Sequence, residues 1–323
     1  MLVLDGDRVE HRTVADFPDC VPEGALVVLN VTRVRRARAF VRRAGSGGAV
    51  ELLFLDALPR HAEAPAERWR VLARANRSLR VGARLTAPDL EVEVGAIGQG
   101  GVLEVSALAK SGVEAWLEEH GRVPLPPYIR REDEPADRDR YQTVFAERLG
   151  SAAAPTAGLH LTHASLARLA GRGVELATLT LDIGVGTFRQ VTADDIDRHP
   201  MHAEAFSVSE EAVERVALAR ARGAPVVAVG TTVVRALESA ADPERPGEIR
   251  ATSDETRLLI QPGHRFRVVD ALLTNFHQPR STLLAVVAAF AGRNAVLAAY
   301  RVALEQGYRF LSYGDAMWLP RRA

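Results

Sequence analysis

Val226-Val227-Ala228-Val229-Gly230-Thr231-Thr232-Val233-Val234-Arg235 is four apolar residues running into a Gly-Thr-Thr turn, followed by a stretch with helical periodicity. β-Branched residues closed by such a turn read as a buried strand, Val226 to Val229, feeding a helix over Thr232 to Ala241. Working outward, Gly223-Ala224-Pro225 separates this strand from a preceding helix, Glu210 to Arg222. Before that come a strand, Val174 to Ile183, and a helix, Ala164 to Gly171. Alternation of this kind is the grammar of a mostly parallel α/β sheet or barrel.

Upstream the period changes. Short alternating runs at Ala37 to Arg42, Val50 to Leu55, Trp69 to Ala73, Leu90 to Val94 and Val102 to Val105 are split by turns such as Gly45-Ser46-Gly47-Gly48 and Gly98-Gln99-Gly100-Gly101. Strands so closely spaced predict a small β-barrel or sandwich. A short helix is expected over Val113 to His120, ended by Pro124, Pro126 and Pro127. The fold expected is therefore α/β: a barrel-like α/β body, residues 1–35 and 124–323, interrupted by a small all-β domain, residues 36–123. The mixed-charge run Arg130 to Arg140 reads as a solvated loop, and no internal repeat is evident.

With 323 residues, 47% apolar and 25% charged, the chain can bury a sizeable core, and disordered and fibrous classes are excluded. Cys20 is the single cysteine and reads as a structural or loop residue; multi-cysteine zinc sites and internal disulfides are excluded, and a reducing compartment fits. The opening lacks the basic-then-apolar pattern of a signal peptide, and the longest apolar run, Thr282 to Ala291, is too short to span a bilayer. A cytoplasmic protein without a membrane role is expected. Net charge is zero, yet only Lys110 among 41 basic residues is a lysine. This nearly excludes Schiff-base chemistry and leaves arginine as the phosphate-binding group. Arg33, Arg35, Arg36, Arg38, Arg42 and Arg43 form either a nucleic-acid face or a solvated strand face.

Four segments gather Gly, Thr, His, Asn and Glu where strands give way to loops or helices, the place where α/β active sites form. Ala154 to His160 offers the Thr156 hydroxyl, the Gly158 amide and the His160 imidazole. Asp182-Ile183-Gly184-Val185-Gly186-Thr187-Phe188 has glycines, Gly184 and Gly186, that allow close backbone approach beside Asp182 and Thr187. His199-Pro200-Met201-His202-Ala203-Glu204 could be read as a zinc site, but Pro200 disfavours the helix that would align its histidines, so acid-base duty for His202 and Glu204 is preferred and no metal is expected. Finally Gly230, Thr231 and Thr232 leave helix-start amides for an anion such as a methionine carboxylate, with Arg235 as a partner, and Thr274-Asn275-Phe276-His277 adds an amide and an imidazole.

These segments, together with Asn30-Val31-Thr32-Arg33-Val34, Leu125-Pro126-Pro127-Tyr128-Ile129, Tyr141-Gln142-Thr143-Val144-Phe145 and Tyr308 to Met317, occur in the order found in one family. The chain resembles the S-adenosylmethionine:tRNA ribosyltransferase-isomerases of the queuosine pathway. The resemblance implies an α/β body with an inserted β domain and an active site between the two. It implies S-adenosylmethionine as a consumed co-substrate, no metal, and tRNA carrying 7-aminomethyl-7-deazaguanine as partner, with a monomer expected. The implied reaction transfers and isomerises the ribosyl unit onto that base, giving epoxyqueuosine and releasing adenine and methionine.

Such chemistry needs a base to take a proton from the ribose carbon beside the sulfonium. His160, His202, Glu204 and His277 are the candidates, with Thr156, Thr231, Thr232 and Asn275 as contacts to donor and leaving group. The family carries a further N-terminal stretch, and it usually has histidine where Asp182 stands, aspartate where Val31 stands and leucine where Gln278 stands. These departures bear on the acceptor more than on the donor. The competing readings are a transferase acting on a free deazapurine or other small acceptor, a non-catalytic RNA-binding relative, and an unrelated hydrolase.

Overall fold

The structure is a computed structural model that describes residues 1–59, 65–184, 196–198 and 201–320. Its strands, in chain order, are β1 (Leu2–Asp5), β2 (Arg8–His11), β3 (Leu26–Asn30), β4 (Thr32–Val34), β5 (Arg38–Arg43), β6 (Ala49–Ala57), β7 (Glu67–Ala75), β8 (Arg84–Ala87), β9 (Leu90–Ile97), β10 (Val102–Ala109), β11 (Arg148–Ser151), β12 (Glu175–Leu181), β13 (Glu204–Val208), β14 (Val226–Val229), β15 (Thr252–Thr256), β16 (Ala271–Asn275) and β17 (Ala316–Leu319). Its helices are α1 (Phe17–Cys20), α2 (Val113–His120), α3 (Asp137–Arg140), α4 (His163–Gly171), α5 (Glu210–Ala221), α6 (Thr231–Ala240), α7 (Thr282–Ala291) and α8 (Arg293–Glu305). The chain divides into two compact units, Met1–Arg33 with Arg140–Ala323, and Val34–Asp139.

In the first unit nine strands form one sheet in the order β15-β13-β12-β3-β14-β16-β17-β1-β2. Its middle, β12-β3-β14-β16, is parallel. The flanking pairs β12–β13, β13–β15, β16–β17 and β1–β2 are antiparallel, so the sheet is mixed rather than mostly parallel. The sequence of the middle strands explains their place. Every residue of β3, β14 and β16 is buried, as the near-continuous Val, Leu and Ala runs of a two-sided sheet require. Side chains alternate between two cores: Leu26, Val28, Val226 and Ala228 join the face covered by α5, α6, α7 and α8, whereas Val27, Leu29, Val227 and Val229 join the face covered by α1 and α4. Cys20, half-buried, packs against the second of these cores.

Hydroxyl caps start α4, α5 and α7 through Thr162, Ser209 and Ser281. The apolar run Thr282–Ala291 is α7, with Val286, Val287 and Ala291 buried and the rest partly exposed. Among the described residues no single helix is long and apolar enough to cross a membrane; α7 and α8 reach that length only together, and they bend by 111° at their junction.

The second unit is a closed six-stranded barrel, β10-β7-β6-β5-β8-β9. Its core consists of the inward members of each alternating run, among them Val41, Leu52, Phe54, Trp69, Val92 and Val105, with Val113, Trp116 and Leu117 of α2 packed on the same core. The expected α/β class with an inserted β-barrel is what is found, and barrel closure belongs to the insert. One strand, β8, has only Leu85 buried among its four residues and leaves no alternating signature in the sequence. The segment after α2 clusters with the barrel up to Asp139, beyond the break expected near residue 124. The cause is the charged run itself: Asp137 is buried, accepts two hydrogen bonds from Arg131 and one from the Glu134 amide, and Asp133 accepts from the Val123 amide at 3.3 Å. This run is not a freely solvated loop.

The arginine-rich stretch is also more committed than expected. Arg35 is buried, its Nε donates to Glu114 at 2.8 Å, and its guanidinium lies 5.2 Å from the centre of the Trp69 ring. Arg36 donates to the Glu118 carbonyl and Arg38 pairs with Glu51 at 2.7 Å. Arg35 therefore works as a barrel strut rather than as a phosphate ligand, and Arg33, which is exposed, keeps the surface position the nucleic-acid reading needs.

Candidate active site

In a parallel α/β sheet the carboxyl ends of neighbouring strands share one edge, and ligands bind there. Here that edge carries Asn30 at the end of β3, Ile183 just beyond β12, Gly230 just beyond β14, and Thr274 and Asn275 closing β16. An open cleft lies among them, lined by Thr156, Gly230, Thr231, Thr232, Asn275 and His277 with Ile183 and Leu283 as apolar walls. Of the residues expected to contribute, these six meet.

Asn275 organises one wall. Its Oδ1 accepts from the Thr156 hydroxyl at 3.1 Å, and its Nδ2 lies 3.0 Å from His160 Nε2 and 3.2 Å from the Leu311 carbonyl. With Oδ1 taken by a donor, the amide nitrogen must donate to both of the others, so His160 Nε2 accepts and the proton of this ring sits on Nδ1. The one lone pair of His160 is thereby occupied, which makes this residue a poor proton-abstracting base and a good brace.

His277 differs. Its Nε2 meets the Thr274 hydroxyl at 2.9 Å, its backbone amide donates to the Tyr300 hydroxyl at 2.9 Å, and Nδ1 has no partner among the described residues. Burial pushes the Tyr300 phenol up to about 12, keeping it protonated. Desolvation pushes both His277 and His160 down to about 4, so both rings are neutral at pH 7.

A stability consequence follows with a definite sign. Unfolded imidazole titrates near 6.5 and these folded rings near 4, so the unfolded chain takes up protons first as pH falls. Stability is full above about pH 6.5 and is lost towards pH 4, by roughly a few kcal/mol for the two rings together. Urea unfolding at pH 7 and pH 4.5 measures this, and the difference should shrink in a His160→Asn protein.

The remaining expected residues take other duties. Glu204 is buried, its carboxylate accepts from the Gly184 amide at 3.3 Å, and it forms a buried ion pair with Arg235. Arg235 also donates to the Leu258 carbonyl at 3.1 Å. A carboxylate held this way is no free base, and Arg235 is not available to a ligand carboxylate; the two tie β13 to α6. His202 is exposed, makes no hydrogen bond to described residues and is not among the described residues lining the cleft. Asp182 accepts from the Thr32 hydroxyl at 2.6 Å and lies against Gly150, outside the cleft lining. Gly186, Thr187, Val185, Phe188, His199 and Pro200 lie outside the described residues.

Gly158 serves packing. A Cβ there would stand 2.8 Å from both Phe145 Cζ and Thr143 Cγ2. A Gly158→Ala protein should lose about 1–3 kcal/mol by overpacking, read as a lowered thermal midpoint. Sequence reading missed Leu283, hidden in an apolar run assigned to the core, and Tyr300, for which no local pattern exists. Among the described residues no three of His, Cys, Asp and Glu come together as a metal-binding group.

Comparison with known proteins adds the decisive observation. The sequence matches the family model described as queuosine biosynthesis protein over residues 1–319. The chain belongs to the queuosine biosynthesis family. A relative from Sorangium cellulosum named S-adenosylmethionine:tRNA ribosyltransferase-isomerase is 53% identical, covering 98% of this chain and 91% of the relative. One of the same name from Anaeromyxobacter dehalogenans is 51% identical, covering 97% of this chain and 89% of the relative. The crystal structure of an S-adenosylmethionine tRNA ribosyltransferase from Thermotoga maritima is similar with a TM-score of 0.52 and 31% identity, covering 98% of this chain and 91% of that one. Membership in the queuosine biosynthesis family accounts for the order of the quoted segments along the chain.

Proposed function

We propose that this queuosine-family chain transfers and isomerises the ribosyl unit of S-adenosylmethionine onto 7-aminomethyl-7-deazaguanine in the anticodon of tRNA, giving epoxyqueuosine and releasing adenine and methionine. The observation that carries the reading is 53% identity, along 98% of the chain, to a relative named for that reaction. The cleft chemistry supports it. A neutral, desolvated His277 with a ring nitrogen unclaimed by protein suits removal of a proton from the ribose carbon beside the sulfonium, whose positive charge stabilises the carbanion left behind. Thr156, fixed by Asn275, offers a hydroxyl to the substrate, and His160 braces Asn275 from behind. A tRNA substrate implies the cytoplasm as the working compartment.

The test is incubation with S-adenosylmethionine labelled in the ribosyl unit and tRNA bearing the deazaguanine. Label retained on the RNA with stoichiometric adenine release is the expected outcome. Transfer to the free base but not to tRNA would replace the acceptor, and no adenine release under either condition would overturn the reading.

A further inference from the structure

Helix α6 begins in a way that exposes its leading dipole to the cleft. Gly230 at its N-cap has φ 96°, carries no side chain and spends its own amide on the Leu273 carbonyl at 2.8 Å. The first helical bond is donated by Val234 to the Gly230 carbonyl, so the amides of Thr231, Thr232 and Val233 have no acceptor among the described residues. Thr231 itself is 5% exposed, lines the cleft, and its hydroxyl makes no hydrogen bond to described residues. A hydroxyl facing the cleft and helix-start amides without acceptors among the described residues together form a seat for a single negative charge.

We infer that this seat holds the carboxylate on the amino-acid end of S-adenosylmethionine, with Thr231 as its side-chain ligand; the inference rests on the reading of that molecule as ribosyl donor. Among the described residues that line the cleft there is no arginine or lysine. A nucleic-acid backbone calls for basic side chains, whereas one carboxylate is matched by one helix terminus and one hydroxyl. Arg235, the cation nearest in sequence, is consumed by Glu204. Among the described residues it is the Gly230-Thr231-Thr232 turn, and not a cation, that meets the donor carboxylate.

Calorimetric titration with S-adenosylhomocysteine and with its decarboxylated analogue tests this on the wild-type, Thr231→Val and Thr231→Ser proteins, each first shown by circular dichroism to be folded. Removing the carboxylate from the ligand should weaken wild-type binding about ten-fold, and Thr231→Val should weaken S-adenosylhomocysteine to a similar degree while leaving the analogue unchanged. Thr231→Ser should restore affinity. Equal binding of the two ligands by the wild type, or equal weakening of both by Thr231→Val, would overturn the seat while sparing the donor reading. Failure of the wild type to bind either ligand would remove both.

Discussion

An Arg235→Met protein is expected to be less stable than the wild type by about 3–5 kcal/mol, because it leaves the carboxylate of Glu204 buried without its cation. Both side chains are under one-tenth exposed; without Arg235 the Glu204 carboxylate keeps the Gly184 amide but loses its cation, and the loop carbonyl of Leu258 loses its donor. Urea unfolding measures the loss. The double variant Arg235→Met with Glu204→Leu should recover most of it, since apolar groups of matching volume can replace a buried ion pair at little net cost. A double variant as unstable as the single one would mean that the pair matters through shape and not through charge. Donor affinity in the double variant should stay within a few-fold of wild type, which separates this pair from the cleft chemistry.

The second large effect is catalytic. Truncating His277 to alanine should lower kcat by roughly 10²–10⁴-fold, the usual worth of a positioned general base. The wild-type pH profile carries the same signature. A base pushed down to about 4 stays competent well into mild acid, so kcat/KM should be level from neutrality to about pH 5 and fall only beyond, instead of declining through the ordinary imidazole value of 6.5. The His160→Ala protein should behave differently, losing activity mainly through a raised KM as Asn275 and Thr156 loosen. Loss of kcat in His160→Ala with full activity in His277→Ala would exchange the two roles.

What the sequence disclosed follows from the range of the forces involved. Strand β14 and helix α2 match their expected bounds to the residue, because hydrophobic period and turn chemistry are local and strong there. The residues that meet in the cleft were also legible, since strand ends with Thr, Asn and Gly stand out against apolar runs. Pairing was not. Glu204 and Arg235 each look like catalytic groups when read alone, and a separation of 31 positions gives no cue that they neutralise one another. The same applies to Arg35 and Glu114, 79 residues apart, and to the saturation of Asn275 by groups from two separate segments. Charged and polar side chains declare their chemistry locally and their partners only in three dimensions.

The barrel unit closes on itself in one more respect. Arg38, just after the chain enters, and Arg122, where it prepares to leave, exchange backbone hydrogen bonds at 3.2 and 2.8 Å. The two ends of the stretch Arg38–Arg122 are thus clasped within the unit, whose core cluster, among the described residues, consists of its own side chains. Such a hairpin-like gate means that the barrel's strand ladder and the clasp that shuts it are made by one continuous length of chain.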